Sequence, residues 1–246
     1  MYKLKTIENK IHNSDCTEFM KCIPSESIDL IVTDPPYNIG QENKRTKVGN
    51  EIISNKEAWG EWDDFDNKEF DAFMFKVMSE MYRVLKKGGI LYCFTARKKN
   101  GFYCDYACNE TGFTYQNTIA IIKNNPLPHF TKTNWRSAFE LAFYVSKGKP
   151  KTFNFLSQRE MINTIPYNIG KKIGKHPTEK PEKAISLLIR ASSNISDIVL
   201  DPFNGGGTTT SVAKKLKRKF IGIDKSKEYC DMAEKRLINT QRELFD

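Results

Sequence analysis

The chain has 246 residues, with 39 lysines and arginines against 30 aspartates and glutamates, a formal net charge of +9 and a pI of about 9.1. That length suits one large α/β domain with a substantial core, and the basic balance is equally compatible with a polyanionic partner and with a merely basic protein. No apolar run approaches the roughly 18 residues of a membrane span, and six scattered cysteines without a CxxC pair or a histidine cluster exclude a disulfide scaffold and a zinc set. Met1-Tyr2-Lys3-Leu4-Lys5 has no long apolar stretch behind it, so a cytoplasmic protein with reduced thiols and no membrane partner is expected.

In chain order, residues 28–32 predict a buried strand and residues 70–85 an amphipathic helix with Phe70, Phe73, Val77, Met81 and Leu85 on one face. Lys86-Lys87-Gly88-Gly89 reads as the basic last turn and glycine cap of that helix, and residues 90–94 as the next strand. Cys104 and Cys108, at helical spacing, read as small packed hydrophobes. Residues 119–122 and 141–145 read as two further strands across a proline-rich connection. Residues 181–192 follow as a helix, 198–200 as a strand entering a glycine turn, 208–216 as a helix, 220–223 as a strand and 227–237 as a final helix. Strands alternating with helices indicate a doubly wound, mostly parallel α/β sheet in a single domain over residues 1–246.

The order of elements carries a further inference. Asp201-Pro202-Phe203-Asn204-Gly205-Gly206-Gly207 is a strand-to-helix turn of the nucleotide-binding type, which ordinarily opens such a domain. Only one strand and one helix follow it, so the flanking strands must come from the N-terminal half. The fold is therefore predicted to be circularly permuted, with the Asp34 strand beside the glycine-turn strand.

Two constellations carry chemistry. Asp34-Pro35-Pro36-Tyr37, followed by Asn38, ends the first strand; a carboxylate, two rigid prolines and an aromatic ring at a carboxyl edge can receive the exocyclic amino group of a flat base. The glycine turn matches neither GxGxxG nor the GK[ST] ending of a triphosphate loop. It offers close backbone approach, helix N-terminal amides and the hydroxyls of Thr208 and Thr209, with Asp224 ending the next strand where an acid accepts ribose hydroxyls. A turn needing glycine for backbone reasons alone is the plain alternative. Pro36-Tyr37-Asn38-Ile39-Gly40 recurs as Pro166-Tyr167-Asn168-Ile169-Gly170, but without surrounding similarity this reads as coincidence and assigns Tyr167 no catalytic role.

Together with His176-Pro177-Thr178-Glu179-Lys180-Pro181, the segments 33–40 and 201–209 resemble the β group of amino-methyltransferases that modify exocyclic nitrogens of DNA with S-adenosylmethionine. The resemblance extends from Asn13-Ser14-Asp15-Cys16 to the last helix and implies a Rossmann-like methyltransferase fold. It implies that the Asp34 carboxylate and the Pro35 carbonyl accept the amino hydrogens of a flipped base, that Pro36 helps keep the loop extended, and that Tyr37 stacks on the base. For the cofactor it implies Asp34, Asp201, Phe203, Gly205, Gly207, Thr208 and Asp224, the backbone around Lys180, and Asp15, for which ordinary helix capping is an equal alternative.

Double-stranded DNA is the expected partner, with Lys44, Arg45 and Lys47 in a basic lid over residues 41–58. Lys132 and Arg136 are placed along a groove, and Lys171 and Lys172 in a short recognition insertion over residues 147–175; a solvated charged loop is an equal alternative for each. That insertion is short for an independent recognition domain, leaving open a homodimer, a separate specificity factor and a cognate restriction endonuclease. An aspartate opening the tetrapeptide resembles the adenine enzymes of that family more than the cytosine-N4 enzymes, which implies methylation of adenine N6 in duplex DNA, in a restriction-modification or epigenetic role. Cytosine N4, a silent DNA-binding subunit, and methylation of RNA or protein are the alternatives.

Overall fold

Leu30, Ile31 and Val32 are fully buried in consecutive positions, a pattern that arises when a strand is covered on both faces. The computed structural model describes residues 3–38, 46–48, 51–53, 67–129, 132–169 and 180–243. Its elements in chain order are α1 (Leu4–Ile7), β1 (Lys10–Asn13), α2 (Cys16–Cys22), β2 (Ile28–Thr33), β3 (Thr46–Val48), β4 (Glu51–Ile53), α3 (Asn67–Val84), β5 (Leu85–Thr95) and α4 (Asn100–Asn109). They continue with β6 (Thr114–Lys123), β7 (Phe139–Ser146), β8 (Thr164–Tyr167), α5 (Glu182–Ser192), β9 (Ile198–Asp201), α6 (Thr208–Lys215), β10 (Lys219–Asp224) and α7 (Lys227–Glu243).

Eight strands form one sheet in the order β1-β10-β9-β2-β5-β7-β6-β8. Every pairing is parallel except those of β7, which runs against both β5 and β6. One face packs Ile31, Leu91 and Phe143 against Met20, Met74, Met78 and Met81 of α2 and α3, with Tyr103 and Ala107 of α4. The opposite face packs Leu30, Val32, Tyr92 and Val199 against Ile185 and Leu188 of α5, Val212 of α6 and Leu237 of α7. Helices on both faces of a mostly parallel sheet give the three-layer α/β fold expected. Among the described residues no helix is long and apolar enough to cross a membrane, and the six cysteines are free thiols.

The permuted arrangement is present. β2, from the N-terminal half, lies parallel to β9, with Leu30 opposite Val199 and Ile31 opposite Leu200. On the other side of β9 comes β10, the strand that follows it in the chain, and then β1. The chain thus leaves β9 toward β10 on one side and β2 toward β5 on the other, so the winding reverses at the β9–β2 boundary, where the carboxyl ends of such sheets receive ligands.

Three local expectations are corrected, and two edge strands are added. The helix ends at Val84, and Lys86-Lys87-Gly88-Gly89 belongs to β5 instead of capping the helix. The last helical carbonyls are taken by other backbone, Arg83 by Glu26 N and Val84 by Ser27 N, while Gly88 N donates to Lys147 O, so no glycine cap is needed. The edge strands β1 and β8 carry no continuous apolar signal; β8 contains Pro166, which lacks a donor and is tolerated at a sheet edge. The last helix runs beyond residue 237 to Glu243. Within 41–58, read as a loop, β3 and β4 pair as an antiparallel ribbon with Lys47 opposite Ile52.

The entry into β5 rests on Gly88, which adopts φ +80°. A methyl group there would lie 2.7 Å from Lys151 Cβ and 2.9 Å from Lys151 N. Gly88→Ala is expected to lower the unfolding free energy by roughly 2–4 kcal/mol, the sum of left-handed backbone strain and overpacking. Urea unfolding of parent and variant measures this; coincident curves would show that the turn accommodates a side chain freely.

Candidate active site at the carboxyl edge

Because β1, β10, β9, β2 and β5 are parallel, the residues that follow their last positions share one edge of the sheet. Asp15 follows β1, Asp224 ends β10, Asp201 ends β9 and opens the glycine turn, and Asp34 follows β2. The two motifs are joined directly: the Thr33 hydroxyl donates to Asp201 Oδ1 at 2.8 Å, and both residues are buried.

Asp34 is partly exposed at this edge, next to buried Pro35. Its Oδ1 accepts the Tyr37 hydroxyl at 2.7 Å, and its Oδ2 accepts the Lys180 ammonium at 2.5 Å. Asn38, buried, takes φ 50° and turns the chain after the motif. Lys180 also reaches Glu140 Oε2 at 3.0 Å, and Glu140 Oε1 lies 2.7 Å from Lys123 Nζ. Two aromatic faces flank the ammonium, Tyr37 at 5.4 Å and Phe94 at 5.3 Å from the ring centroids. Burial works against the charge on Lys180, but Asp34 and Glu140 outweigh it and hold its pKa well above the ordinary lysine value. Burial likewise opposes ionisation of Glu140, yet Lys180 and Lys123 pull its pKa down to about 2.

In the glycine turn, Gly205 and Gly207 take φ 47° and 79°. A Cβ on Gly207 would meet Ala233 Cβ at 2.7 Å, so the backbone presses on α7 and only glycine fits. Gly205 N donates to Asp224 Oδ2 at 2.8 Å, and Ser226 N to Asp224 Oδ1 at 2.8 Å, fixing the acid that ends β10 against the turn. Arg236 braces the same turn from α7 through Gly206 O at 3.3 Å and Thr208 Oγ1 at 3.0 Å. Phe203 is partly buried, its ring 6.1 Å from Phe73 in an edge contact. Asn204 Nδ2 is buried in the turn without a protein partner, whereas its Oδ1 accepts the Thr210 hydroxyl at 2.9 Å. Asp201 is buried in the base of the turn, accepting Phe203 N at 3.1 Å as well as Thr33.

Asp15 caps α2, its Oδ1 accepting from Thr17 N, Glu18 N and the Thr17 hydroxyl. Of the expected DNA contacts, Lys132 and Arg136 are exposed on the connection from β6 to β7, where Arg136 donates to the carbonyls of Pro126 and Leu127. Lys47 lies in β3, and Lys44, Arg45, Lys171, Lys172 and the segment 176–179 lie outside the described residues. The start of the expected insertion is tied to the body of the fold. Lys147 donates to Tyr82 O and Leu85 O, both at 3.0 Å, and Asn154 Nδ2 to Arg190 O at 2.9 Å and Ser193 O at 3.0 Å. Lys123, which ends β6, is paired with Glu140. Glu140 itself was missed; its one signal is an acid second in the otherwise apolar run Phe139-Glu140-Leu141-Ala142-Phe143.

The sequence profile described as DNA methylase, that of the N6/N4 methyltransferases, matches residues 28–235. The chain belongs to the DNA methylase family. This methylase is 35% identical over 248 residues to the type II methyltransferase M.HinfI of Haemophilus influenzae, with 93% of the chain and 68% of that relative covered. It is 32% identical over 239 residues to the type II methyltransferase M2.DpnII of Streptococcus pneumoniae, with 92% and 88% covered. Among solved structures, the M1.HpyAVI–SAM complex matches with a TM-score of 0.72 at 27% identity over 93% of this chain and 98% of that one.

The link between the methylase's two motifs is pH-sensitive. Burial raises the Asp201 carboxyl from 3.8 to about 7, against the opposing pull of its hydrogen bonds from Thr33, Thr209 and Phe203 N. The folded state therefore holds a proton that the unfolded chain releases near pH 4, so this group's contribution to stability is full below about pH 4 and is lost as pH rises through about 7. Asp201→Asn cannot ionise and is expected to flatten the fall in unfolding free energy between about pH 5 and about pH 8. Urea unfolding at both values tests this, and an unchanged pH slope would place the proton elsewhere.

Proposed function

We propose that the chain transfers the methyl group of S-adenosylmethionine to the exocyclic N6 of an adenine turned out of duplex DNA. The observation that carries this reading is the Thr33–Asp201 hydrogen bond, which sets the base-receiving acid and the glycine turn side by side at the switch point of the sheet. The turn fits an adenosyl ligand: the α6 amides begin at Thr208, and Asp224 stands at the end of the neighbouring strand, held against the turn by Gly205 N. Asp34, Phe203, Gly205, Gly207, Thr208 and Asp224 are the proposed contacts, with Asp201 acting through the shape of the turn and Asp15 and the Lys180 backbone at the margins. When bound, this cofactor supplies an electrophilic methyl carbon whose bond to sulphur breaks as its bond to nitrogen forms.

The chain's task is to make a poor nucleophile act. The lone pair of an aromatic amino group is delocalised into the ring, so the nitrogen must be drawn toward tetrahedral geometry. The Asp34 carboxylate and the Pro35 carbonyl do this by each accepting one amino hydrogen. Each Asp34 oxygen accepts one bond from Tyr37 or Lys180 and retains acceptor capacity for the substrate. The Lys180 ammonium, 2.5 Å from Oδ2, fixes that carboxylate at the edge of the sheet. Once the methyl group is transferred, the now cationic nitrogen passes one proton to the Asp34 carboxylate, which is partly exposed and hands it on to water.

Turning the base out costs a few kcal/mol, and stacking on the Tyr37 ring offsets about 1–3 kcal/mol of it. Lys132 and Arg136, with Lys44, Arg45, Lys47, Lys171 and Lys172, are the proposed backbone contacts, supplying affinity more than sequence choice. A second copy or a separate specificity factor supplements the short segment 147–175 in reading sequence, and a cognate endonuclease and a cytoplasmic setting accompany the restriction-modification reading.

The test is to incubate the purified chain with random-sequence duplex DNA and cofactor, digest the product and identify the methylated nucleoside. N6-methyladenine is expected; N4-methylcytosine alone would overturn the adenine assignment. Asp34→Ala is expected to lose roughly a hundredfold of the transfer rate, near the upper end for one charge-assisted hydrogen bond, while retaining cofactor affinity.

A further inference from the structure

Glu140 stands at the start of β7, the strand that runs against its neighbours, so its carboxylate arrives at the edge where the parallel strands end. There it holds Lys180 at 3.0 Å from one side while Asp34 holds the same ammonium at 2.5 Å from the other. The Lys180 side chain is only 8% exposed, so water does not substitute for a lost carboxylate. Lys123 fixes the second oxygen of Glu140 at 2.7 Å. The result is a line of alternating charge, Asp34, Lys180, Glu140, Lys123, that sums to zero and terminates on the acid proposed to receive the base.

The division of the Lys180 charge is what matters for Asp34. With Glu140 in place the ammonium is shared between two carboxylates, and Asp34 keeps electron density for the amino hydrogens. Without it the ammonium turns wholly onto Asp34, competing with the substrate for its lone pairs and dragging its rotamer.

We propose that Glu140 is a positioning residue of methyl transfer, acting through Lys180 to set the orientation and acceptor strength of the Asp34 carboxylate. This rests on the reading of Asp34 as acceptor of the amino group.

Steady-state methylation of duplex DNA by the full chain tests it. Glu140→Gln is expected to lower kcat roughly tenfold to a hundredfold, with KM for DNA and cofactor affinity within about twofold of the parent, since the effect is confined to the reacting geometry. Glu140→Asp, which restores the charge one methylene short, is expected to recover part of the loss. Adding Glu140→Gln to Lys180→Met is expected to cost less than about threefold more, because the connection to Asp34 is already cut. A kcat for Glu140→Gln within about twofold of the parent, or a double variant whose losses multiply, would overturn the proposal.

Thermal unfolding checks that each variant folds. Should Glu140→Gln fail to fold, Lys123→Gln, at the far end of the line, carries the test: a severalfold fall in kcat is expected, and an unchanged kcat counts against the proposal. A parent that transfers no methyl group, or an Asp34→Ala variant whose rate stays within about twofold of the parent, overturns the underlying reading and this inference with it. An active parent, an Asp34→Ala variant slowed as expected and an unimpaired Glu140→Gln overturn this inference alone.

Discussion

In the parallel pairing of β2 with β9, Leu30 faces Val199 and Ile31 faces Leu200, and just past that ladder the Thr33 hydroxyl donates to the buried Asp201 carboxyl. Everything at the carboxyl edge takes its position from this alignment. A slip of one residue would exchange the two faces of β2, forcing Leu30 and Val32 into the layer that receives Ile31 and moving Thr33 and Asp34 out of line with the glycine turn. The register is over-determined, since Leu30 and Val32 are fully buried in one layer and Ile31 in the other. Positioning of the reacting groups is thereby drawn from the hydrophobic core: the same burial that stabilises the sheet holds the acid against the glycine turn.

The edge concentrates carboxylates, and they are managed in two opposite ways. Asp201 is deprived of water and left with only neutral donors, which favours its protonated form and lets it serve as a fixed part of the turn. Asp34 and Glu140 are given cations instead, which keeps the pair with Lys180 ionic in a place where an unpaired ammonium would cost several kcal/mol. Burial thus raises the pKa of Asp201 while Lys180 and Lys123 lower that of Glu140, so two acids of one edge are pushed in opposite directions by their surroundings.

Much of this was legible in the sequence, because long buried strands and helices advertise themselves by apolar pattern and motifs by residue type. The strand before Asp34, the helix bearing Met74, Val77 and Met81, and the late arrival of the glycine turn were enough to infer a permuted sheet with those two strands adjacent. Elements built from backbone pairing more than from apolar burial were not legible. β1 is Lys-Ile-His-Asn and β8 contains Pro166, so neither carries a run of buried side chains, and Lys86-Lys87-Gly88-Gly89 looks like a helix stop because the strand entry needs the same glycine conformation. Side-chain partners remote in sequence were hidden for a different reason. Lys180 was placed near the cofactor by its motif, but its ion pairs reach Asp34, 146 positions away, and Glu140, which in turn holds Lys123, and no local pattern encodes contacts between separate strands.

The antiparallel β7 shows how topology supplies what local sequence does not. Had β7 run parallel to β5, the carboxyl edge would have received Val145 and Ser146, and Phe139 and Glu140 would lie at the far end of the sheet. Reversal brings an N-terminal strand position to the edge, with Leu141 opposite Thr95 of β5 and Glu140 opposite Ile121 of β6. Since β6 is antiparallel to β7, it delivers its own last residue, Lys123, to the same place, and β8, parallel to β6, delivers Tyr167 opposite Lys123. Burial first, and then the negative charge of Glu140, push the Tyr167 hydroxyl up, so the electrostatic reach of the cluster extends to the outermost strand. One reversed strand therefore lets the half of the sheet without a glycine turn contribute charge to the site, and it couples the acid on β2 to the far side of the fold through three ion pairs in series.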